Sequence, residues 1–234
     1  MKRFYKDVSV APAEGGFAVL LDGRAVRTPG RNLLILPTKK LAEAIAQEWR
    51  AQGDEVIAPT MPLLRLANTV VDGVAVNKGP VIDAILRFGE NDLLCYRADQ
   101  PAELAARQRE GWDPLLNWLR QRHGADMRLA EGLTHVDQEP EALAALRQAL
   151  EAQEPFTLGA LHVIASITGS VVLALAVTDG FISGANAFAL SRIDEIYQAE
   201  KWGEDAEAAK RASNLAHELD KAVELMAAVR RESD

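Results

Sequence analysis

The chain has 234 residues, of which 48% are apolar and 26% are charged, as in folded globular proteins, so a largely disordered chain is excluded. Its net charge of −8 lacks the basic surface that nucleic acids and anionic membranes require, which argues against both partners. The single cysteine, Cys95, excludes an internal disulfide and any multi-cysteine metal site, and it agrees with a reducing compartment.

The first forty residues predict a small antiparallel sheet. One strand begins with Phe4, Val8 and Val10, and others follow at residues 17–21, 24–28 and 33–36. Asp22-Gly23 is typical of a hairpin turn, because glycine adopts positive φ without strain.

A helix is predicted next, with Thr38 as its N-cap and an apolar stripe that ends at Trp49. A short helix follows from Pro62 to Val71. Further helices are predicted near 80–88, 101–123, 139–152, 156–178, 185–202 and 204–231, with no return of strand-like alternation. The fold class is therefore α+β. We expect an N-terminal sheet-plus-helix domain at 1–80 and an all-α helical domain at 81–234.

The longest apolar run, Leu158–Val177, is nearly long enough to cross a bilayer. It contains a histidine, serines, a threonine and two glycines, and it lacks basic flanks. We therefore expect a buried core helix and no membrane insertion.

The usual catalytic motifs are missing. The sequence contains no glycine-rich phosphate loop, no HExxH pair and no GxSxG elbow, and its four histidines are scattered. We expect a protein that is not an enzyme and that needs no cofactor, metal or small-molecule substrate.

The stretch from Arg192 to Glu207 is the most unusual part of the chain. From Asp194 onward it holds six carboxylates against one lysine, with Tyr197 and Trp202 among them. Acidic side chains beside aromatic ones, with no nucleophile nearby, favour a docking surface over an active site.

A helical projection of residues 185–202 divides this region into two faces. The core stripe contains Ala189, Leu190, Ile193, Ile196 and Tyr197. Phe188, Glu195 and Trp202 form a line on the opposite side, with Arg192 beside it. This line is either an interaction patch or a face that a second layer of helices buries.

An enzymatic alternative uses the same acidic region. Carboxylate oxygens are the ligands that hard divalent cations prefer, so the carboxylates near 195–207 are compatible with a metal-dependent hydrolase. Its candidate ligands are Glu195, Glu200, Glu204 and Asp205.

Motifs along almost the whole chain resemble one family, the assembly chaperones of the F1 sector of ATP synthase that act on its alpha subunit. The matching segments are Phe4-Tyr-Lys6, Leu21-Asp-Gly-Arg24, Thr28-Pro29, Leu41-Ala42, Ala44-Ile-Ala46, Glu48-Trp49, Met61-Pro-Leu63, Leu66-Ala-Asn68, Asp92-Leu-Leu-Cys-Tyr-Arg97, Trp112-Asp-Pro-Leu-Leu116 with Trp118, Gly169-Ser170, Glu195–Gln198 and Trp202-Gly-Glu-Asp205.

The resemblance implies a chaperone that binds the free alpha subunit and keeps it soluble until it joins beta. It also implies a small N-terminal sheet domain and a helical C-terminal domain. The family's functional acid matches Glu195, with Asp194 as the close competitor, and its sensitive Glu-Trp pair matches Glu48-Trp49. The chain shows no signal or transit segment, so we expect a bacterial cytoplasmic protein.

Overall fold

A computed structural model describes residues 1–132, 134–203 and 205–230. Among these residues the chain divides into two compact units, and one of them comprises residues 1–78, 154–160 and 221–230. The other unit comprises the remaining described residues. The domains 1–80 and 81–234 stay a prediction, since a domain in that sense is a segment that folds alone.

The first unit contains a small antiparallel sheet. Its strands are β1 (Val8–Ala13), β2 (Gly16–Leu21), β3 (Arg24–Ala25) and β4 (Ile35–Leu36). β1 pairs along the whole of β2, whose other edge pairs with both β3 and β4. The turn between β2 and β3 has positive φ at Asp22 and Gly23, as the hairpin prediction requires.

Helix α1 (Lys39–Arg50) covers this sheet with its apolar stripe. The predicted cap is confirmed, because Thr38 Oγ1 accepts a hydrogen bond from the Leu41 N–H at 3.2 Å. A 3₁₀ turn (Ala58–Thr60), helix α2 (Pro62–Thr69) and a π-helical turn (Val70–Val74) follow.

Asp72, on the π-helical turn, holds the loop between β3 and β4. Its carboxylate accepts hydrogen bonds from Thr28 Oγ1 at 2.6 Å, Gly30 N at 2.8 Å and Asn32 Nδ2 at 2.8 Å. These bonds lower the pKa of Asp72, with the Thr28 hydroxyl making the largest contribution. Asp72 therefore anchors this loop to the π-helical turn.

The rest of the described chain is mainly helical. The helices are α3 (Gly79–Glu90), α4 (Ala102–His123), α5 (Pro140–Glu151), α6 (Pro155–Thr168), α7 (Val171–Thr178), α8 (Gly184–Ser191), α9 (Ile193–Trp202) and α10 (Ala206–Val229). A two-residue parallel pair, β5 (Tyr96–Arg97) with β6 (Ala130–Glu131), was not predicted, because segments this short carry no alternation. A small antiparallel sheet followed by helices confirms the α+β class.

The long apolar segment predicted as one helix is two, α6 and α7. Gly169 adopts a φ of +67°, and Ser170 then caps α7 by accepting a hydrogen bond from Leu173 N at 3.0 Å. Residues 171–177 are all buried, so α7 is the core helix of its unit. Within the described residues, every helix is too short or too polar to span a bilayer.

Asp92 is a fully buried carboxyl beside the start of α7. It accepts hydrogen bonds from Leu94 N at 3.0 Å and Val172 N at 3.2 Å. Burial nevertheless raises the pKa of Asp92 to about 6, since desolvation outweighs these bonds. The side chain therefore links a 3₁₀ turn to the N-terminus of α7.

Candidate partner-binding surface

The predicted helix 185–202 is broken at Arg192, so a single projection of this segment is wrong. Arg192 has φ −117° and ψ 19°, and it separates α8 from α9. Trp112, on α4, donates its indole N–H to the Leu190 carbonyl at 2.9 Å. In a continuous helix that carbonyl would accept from residue 194, so the tryptophan satisfies an acceptor that the break leaves open.

Two of the six acidic side chains are used to hold α9 against α4. Asp194 accepts a hydrogen bond from Gln108 Nε2 at 2.7 Å, and Gln108 is itself buried. Glu200 forms an ion pair with Arg107 at 2.7 Å. Asp194 therefore positions the helix, whereas Glu200 lies outside the core in an exposed ion pair.

Tyr197 and Lys201 complete this attached face of α9. Tyr197 is buried, as predicted, and its hydroxyl lies 3.4 Å from Glu103 on α4. Lys201 Nζ donates to the same Glu103 carboxylate at 2.9 Å. The hydrogen bond raises the pKa of Lys201 and lowers that of Glu103.

The other face of α9 is presented outward. The Trp202 side chain is 78% exposed and Ile196 is 42% exposed. Ile196 was predicted in the core stripe, and that assignment is wrong because the face of α9 that packs on α4 carries Asp194, Tyr197 and Lys201. Glu195 is exposed, and its carboxylate makes no hydrogen bond or ion pair with another described residue.

An apolar groove of about 500 Å³ lies between this face and the first turns of α10. Its floor consists of small side chains, which leave room between the two helices. The lining residues are Arg192, Glu195, Ile196, Gln198, Ala199, Trp202, Gly203, Asp205, Ala208, Ala209 and Ala212. We call this set the α9–α10 groove. The alanines of α10 were not among the predicted contact residues, although their helical spacing places them on one face.

The turn between the two helices is fixed by local chemistry. Gly203 adopts a φ of +95°, which side chains disfavour, and a Cβ there would meet nothing within 4 Å. Asp205 then caps α10 by accepting hydrogen bonds from Glu207 N at 2.8 Å and Ala208 N at 3.3 Å. Asp205 is thus occupied by a capping role.

Phe188 and Arg192 form a pair at the end of the groove. The Arg192 guanidinium lies 5.5 Å from the centre of the half-buried Phe188 ring, in cation–π geometry. Arg192 lines the groove whereas Phe188 does not. The predicted line of Phe188, Glu195 and Trp202 is therefore not one helix face, although Glu195 and Trp202 share the groove.

Glu48 and Trp49 belong to the other unit and do not join this surface. Glu48 accepts hydrogen bonds from the N–H groups of Leu63 and Leu64, at 2.8 and 2.9 Å, in the first turn of α2. Burial raises the pKa of Glu48, against the lowering effect of these two bonds. Trp49 is buried against Tyr5, whose hydroxyl donates to the Trp49 carbonyl at 2.7 Å.

The acidic stretch does not form a recognisable metal site in the part of the chain that the structure describes. Within residues 1–132, 134–203 and 205–230, no three histidine, cysteine or acidic side chains are grouped to hold an ion. Glu204, one of the predicted ligands, lies outside the described residues.

Comparison with known proteins identifies the family. The family model described as ATP12 chaperone protein matches residues 2–120, which is half of the chain. The chain belongs to the ATP12 chaperone family. The predicted resemblance is confirmed, and with it the role of an assembly chaperone for F1-ATPase.

Solved structures of this family share the whole fold. The crystal structure of Atp12 from Paracoccus denitrificans has a TM-score of 0.94 and 42% identity, and 98% of each chain is covered. An aspartate-to-lysine variant of that protein gives a TM-score of 0.94 at 41% identity, again with 98% of each chain covered. The mitochondrial atp12 protein of Schizosaccharomyces pombe is 25% identical over 219 residues, which are 88% of this chain and 75% of the relative.

Proposed function

We propose that this protein binds the free alpha subunit of the F1 sector of ATP synthase and releases it for assembly with beta. The observation that carries this proposal is the α9–α10 groove, where a 78% exposed indole borders an apolar floor in a chain of the ATP12 chaperone family. The proposed role is not enzymatic and needs no nucleotide.

The chemistry of the groove suits a client of this kind. A subunit of an obligate complex exposes a large apolar interface before it assembles, and that surface aggregates unless it is covered. Exposed tryptophan is the side chain that most often contributes binding energy at protein interfaces. The chaperone must bind the client more weakly than beta does, so that beta can displace it.

Glu195 is the acidic residue that we propose as a direct contact. Its carboxylate is exposed at the groove, whereas Asp194 is engaged with Gln108. A charge at the rim of an interface contributes selectivity and association rate more than it contributes affinity. We assign Trp202 and Arg192 to the same contact surface, and Phe188 holds the Arg192 guanidinium in place by a cation–π contact.

For Glu48 and Trp49 we propose an indirect role. Both are engaged within the first unit, by the α2 N–H groups and by Tyr5 respectively. Substitutions of these two residues would then weaken partner binding only by destabilising the first unit. The bacterial cytoplasm stays the proposed location, supported by the structures from Paracoccus and, at 44% identity, from Agrobacterium tumefaciens.

Charge reversal at Glu195 tests the proposed contact. We expect Glu195→Lys to bind the free alpha subunit more weakly, mainly through a slower association rate, while the circular-dichroism melt stays close to that of the wild type. Glu218→Lys, the same change on an exposed position of α10, is the control and should bind normally. Equal affinity of the two variants, or an unfolded Glu195→Lys protein, removes Glu195 from the interface.

A further inference from the structure

A second pocket, of about 520 Å³, lies in the first unit beside strand β3. One wall is aromatic and comes from the N-terminal segment and α1, and the other comes from the β2–β3 hairpin. The lining residues are Phe4, Tyr5, Leu21, Asp22, Arg24, Ala25, Val26, Arg27 and Trp49. We call this set the β3 pocket.

Three aromatic rings form the apolar wall of the β3 pocket. Phe4 packs edge-on against Tyr5 with ring centres 5.4 Å apart, and Tyr5 packs edge-on against Trp49 at 5.3 Å. Tyr5 and Trp49 are buried, but Phe4 is 62% exposed. The buried Trp49 Nε1 has no hydrogen-bond acceptor among the described residues. The unsatisfied indole N–H is costly in the folded chain, and a ligand that covered Phe4 would gain by removing its ring from water.

The opposite wall is basic. Arg24 and Arg27 are exposed, and the Arg27 guanidinium donates a hydrogen bond to the Arg31 carbonyl at 2.8 Å. The one lining carboxylate, Asp22, accepts its hydrogen bonds from the backbone N–H groups of Lys6 and Asp7. The pocket therefore presents two guanidinium groups against one occupied carboxylate, in a chain whose net charge is −8.

An open strand edge borders the same pocket. Arg24 and Ala25 pair with Leu21 and Leu20 of β2, and β3 pairs with no other strand among the described residues. The open edge is these two residues, because the next carbonyl, that of Val26, accepts a hydrogen bond from Leu34 N at 3.1 Å. A short edge of this kind can bond to the backbone of an extended peptide whose side chains enter the neighbouring pocket.

We propose that the β3 pocket binds an extended acidic segment of the client polypeptide, with an apolar side chain against Phe4 and a neighbouring carboxylate at Arg24 and Arg27. Guanidinium groups pair with carboxylates in a bidentate manner, which gives this contact its selectivity. The inference rests on the proposed function, and it adds a client contact in the first unit to the α9–α10 groove of the other unit.

Charge reversal of the basic wall is the first test. We expect the double variant Arg24→Glu, Arg27→Glu to bind the free alpha subunit about tenfold more weakly at low salt, with a smaller difference at high salt. The control is Lys39→Glu, Lys40→Glu, which makes the same charge change on exposed positions of α1 and should bind as the wild type does. Equal affinities of the two double variants overturn the inference but leave the proposed function standing. Failure of the wild-type protein itself to bind overturns both.

Photo-crosslinking from position 4 gives a second test that does not depend on weakening the complex. The full chain carrying p-benzoylphenylalanine in place of Phe4 is irradiated with the alpha subunit, and the joined peptides are sequenced. We expect crosslinks to a segment in which an aspartate or glutamate lies within two residues of an apolar side chain. A complex that forms without a crosslink, or crosslinks only to basic segments, contradicts the assignment.

Discussion

Replacement of Glu48 by alanine separates a structural role from a contact role. The Glu48 carboxylate bonds to two backbone N–H groups, those of Leu63 and Leu64, at the first turn of α2. Pro62 precedes them and has no N–H, so these two are the first donors of the helix. Removing the carboxylate leaves both without an acceptor, since helix N-terminal N–H groups have no partner within the helix.

The expected loss follows from these two donors. An unsatisfied buried N–H costs about 1–3 kcal/mol, and loss of an N-terminal cap costs about 0.5–2 kcal/mol. Both affected residues are buried, so water replaces the carboxylate poorly. Removing the carboxylate also relieves the desolvation that raises its pKa, which offsets part of the loss. We therefore expect Glu48→Ala to lower the free energy of unfolding by about 2–4 kcal/mol.

Urea unfolding followed by circular dichroism measures this loss. Glu43→Ala is the matched control on the same helix, because Glu43 is half-buried, as Glu48 is, but forms a partly exposed ion pair with Arg50, at 3.2 Å. We expect that control to change stability by less than about 1 kcal/mol. Where Glu48→Ala is still folded, it should bind the client with nearly wild-type affinity. An unchanged unfolding midpoint together with lost binding would refute the reasoning and make Glu48 a direct contact.

Two further predictions concern the other unit. Asp92 has a pKa of about 6 in the folded chain against 3.8 ordinarily, so the wild type should lose roughly 3 kcal/mol as pH rises from about 4 through 6. A raised carboxyl pKa means that the folded state is favoured when Asp92 is protonated, and Asp92→Asn, which cannot ionise, should therefore lack this loss. If the urea midpoints of the two proteins change with pH by the same amount between pH 4 and 7, the raised pKa of Asp92 is contradicted. Trp202→Ser should change stability by less than about 0.5 kcal/mol, yet weaken client binding by about 2 kcal/mol or more. Val76→Ser, at an apolar side chain of similar exposure, should leave binding unchanged, and equal effects of the two serine variants would exclude Trp202 as an anchor.

Local signals predicted the first unit well. Asp22-Gly23 encodes its hairpin through backbone conformation alone, and Thr38 encodes the start of α1 through one side-chain hydrogen bond. Both features depend on residues that are neighbours in the sequence. The break between α6 and α7 also has a local signal in the sequence, because Gly169 adopts positive φ without strain and Ser170 is a good N-cap.

The break at Arg192 had no comparable signal in its own segment. The indole of Trp112 satisfies the Leu190 carbonyl there, and 78 residues separate the two in sequence. A helical projection cannot include such a contact, so it joined α8 and α9 into one helix. It also placed Ile196 in the core, because it could not include the contacts of Asp194 and Lys201 with α4 that decide which face of α9 is attached. The projection still assigned Glu195 and Trp202 to the exposed face, because both follow the break and keep their spacing within α9.

The candidate surface could be predicted only in part for the same reason. The sequence singled out Glu195, but it could not tell that Asp194 is engaged by Gln108 on another helix. The floor of the α9–α10 groove depends on how α10 packs beside α9, which no residue of α9 determines by itself.

The most direct test of the proposed function is to mix the purified protein with free alpha subunit and measure the molar mass of the eluting species by size-exclusion chromatography with light scattering. We expect a species with the combined mass of the two chains, less aggregated alpha subunit than in its absence, and release of the chaperone when beta is added. Separate elution of the two proteins, with aggregation of the alpha subunit unchanged, would contradict the proposed function.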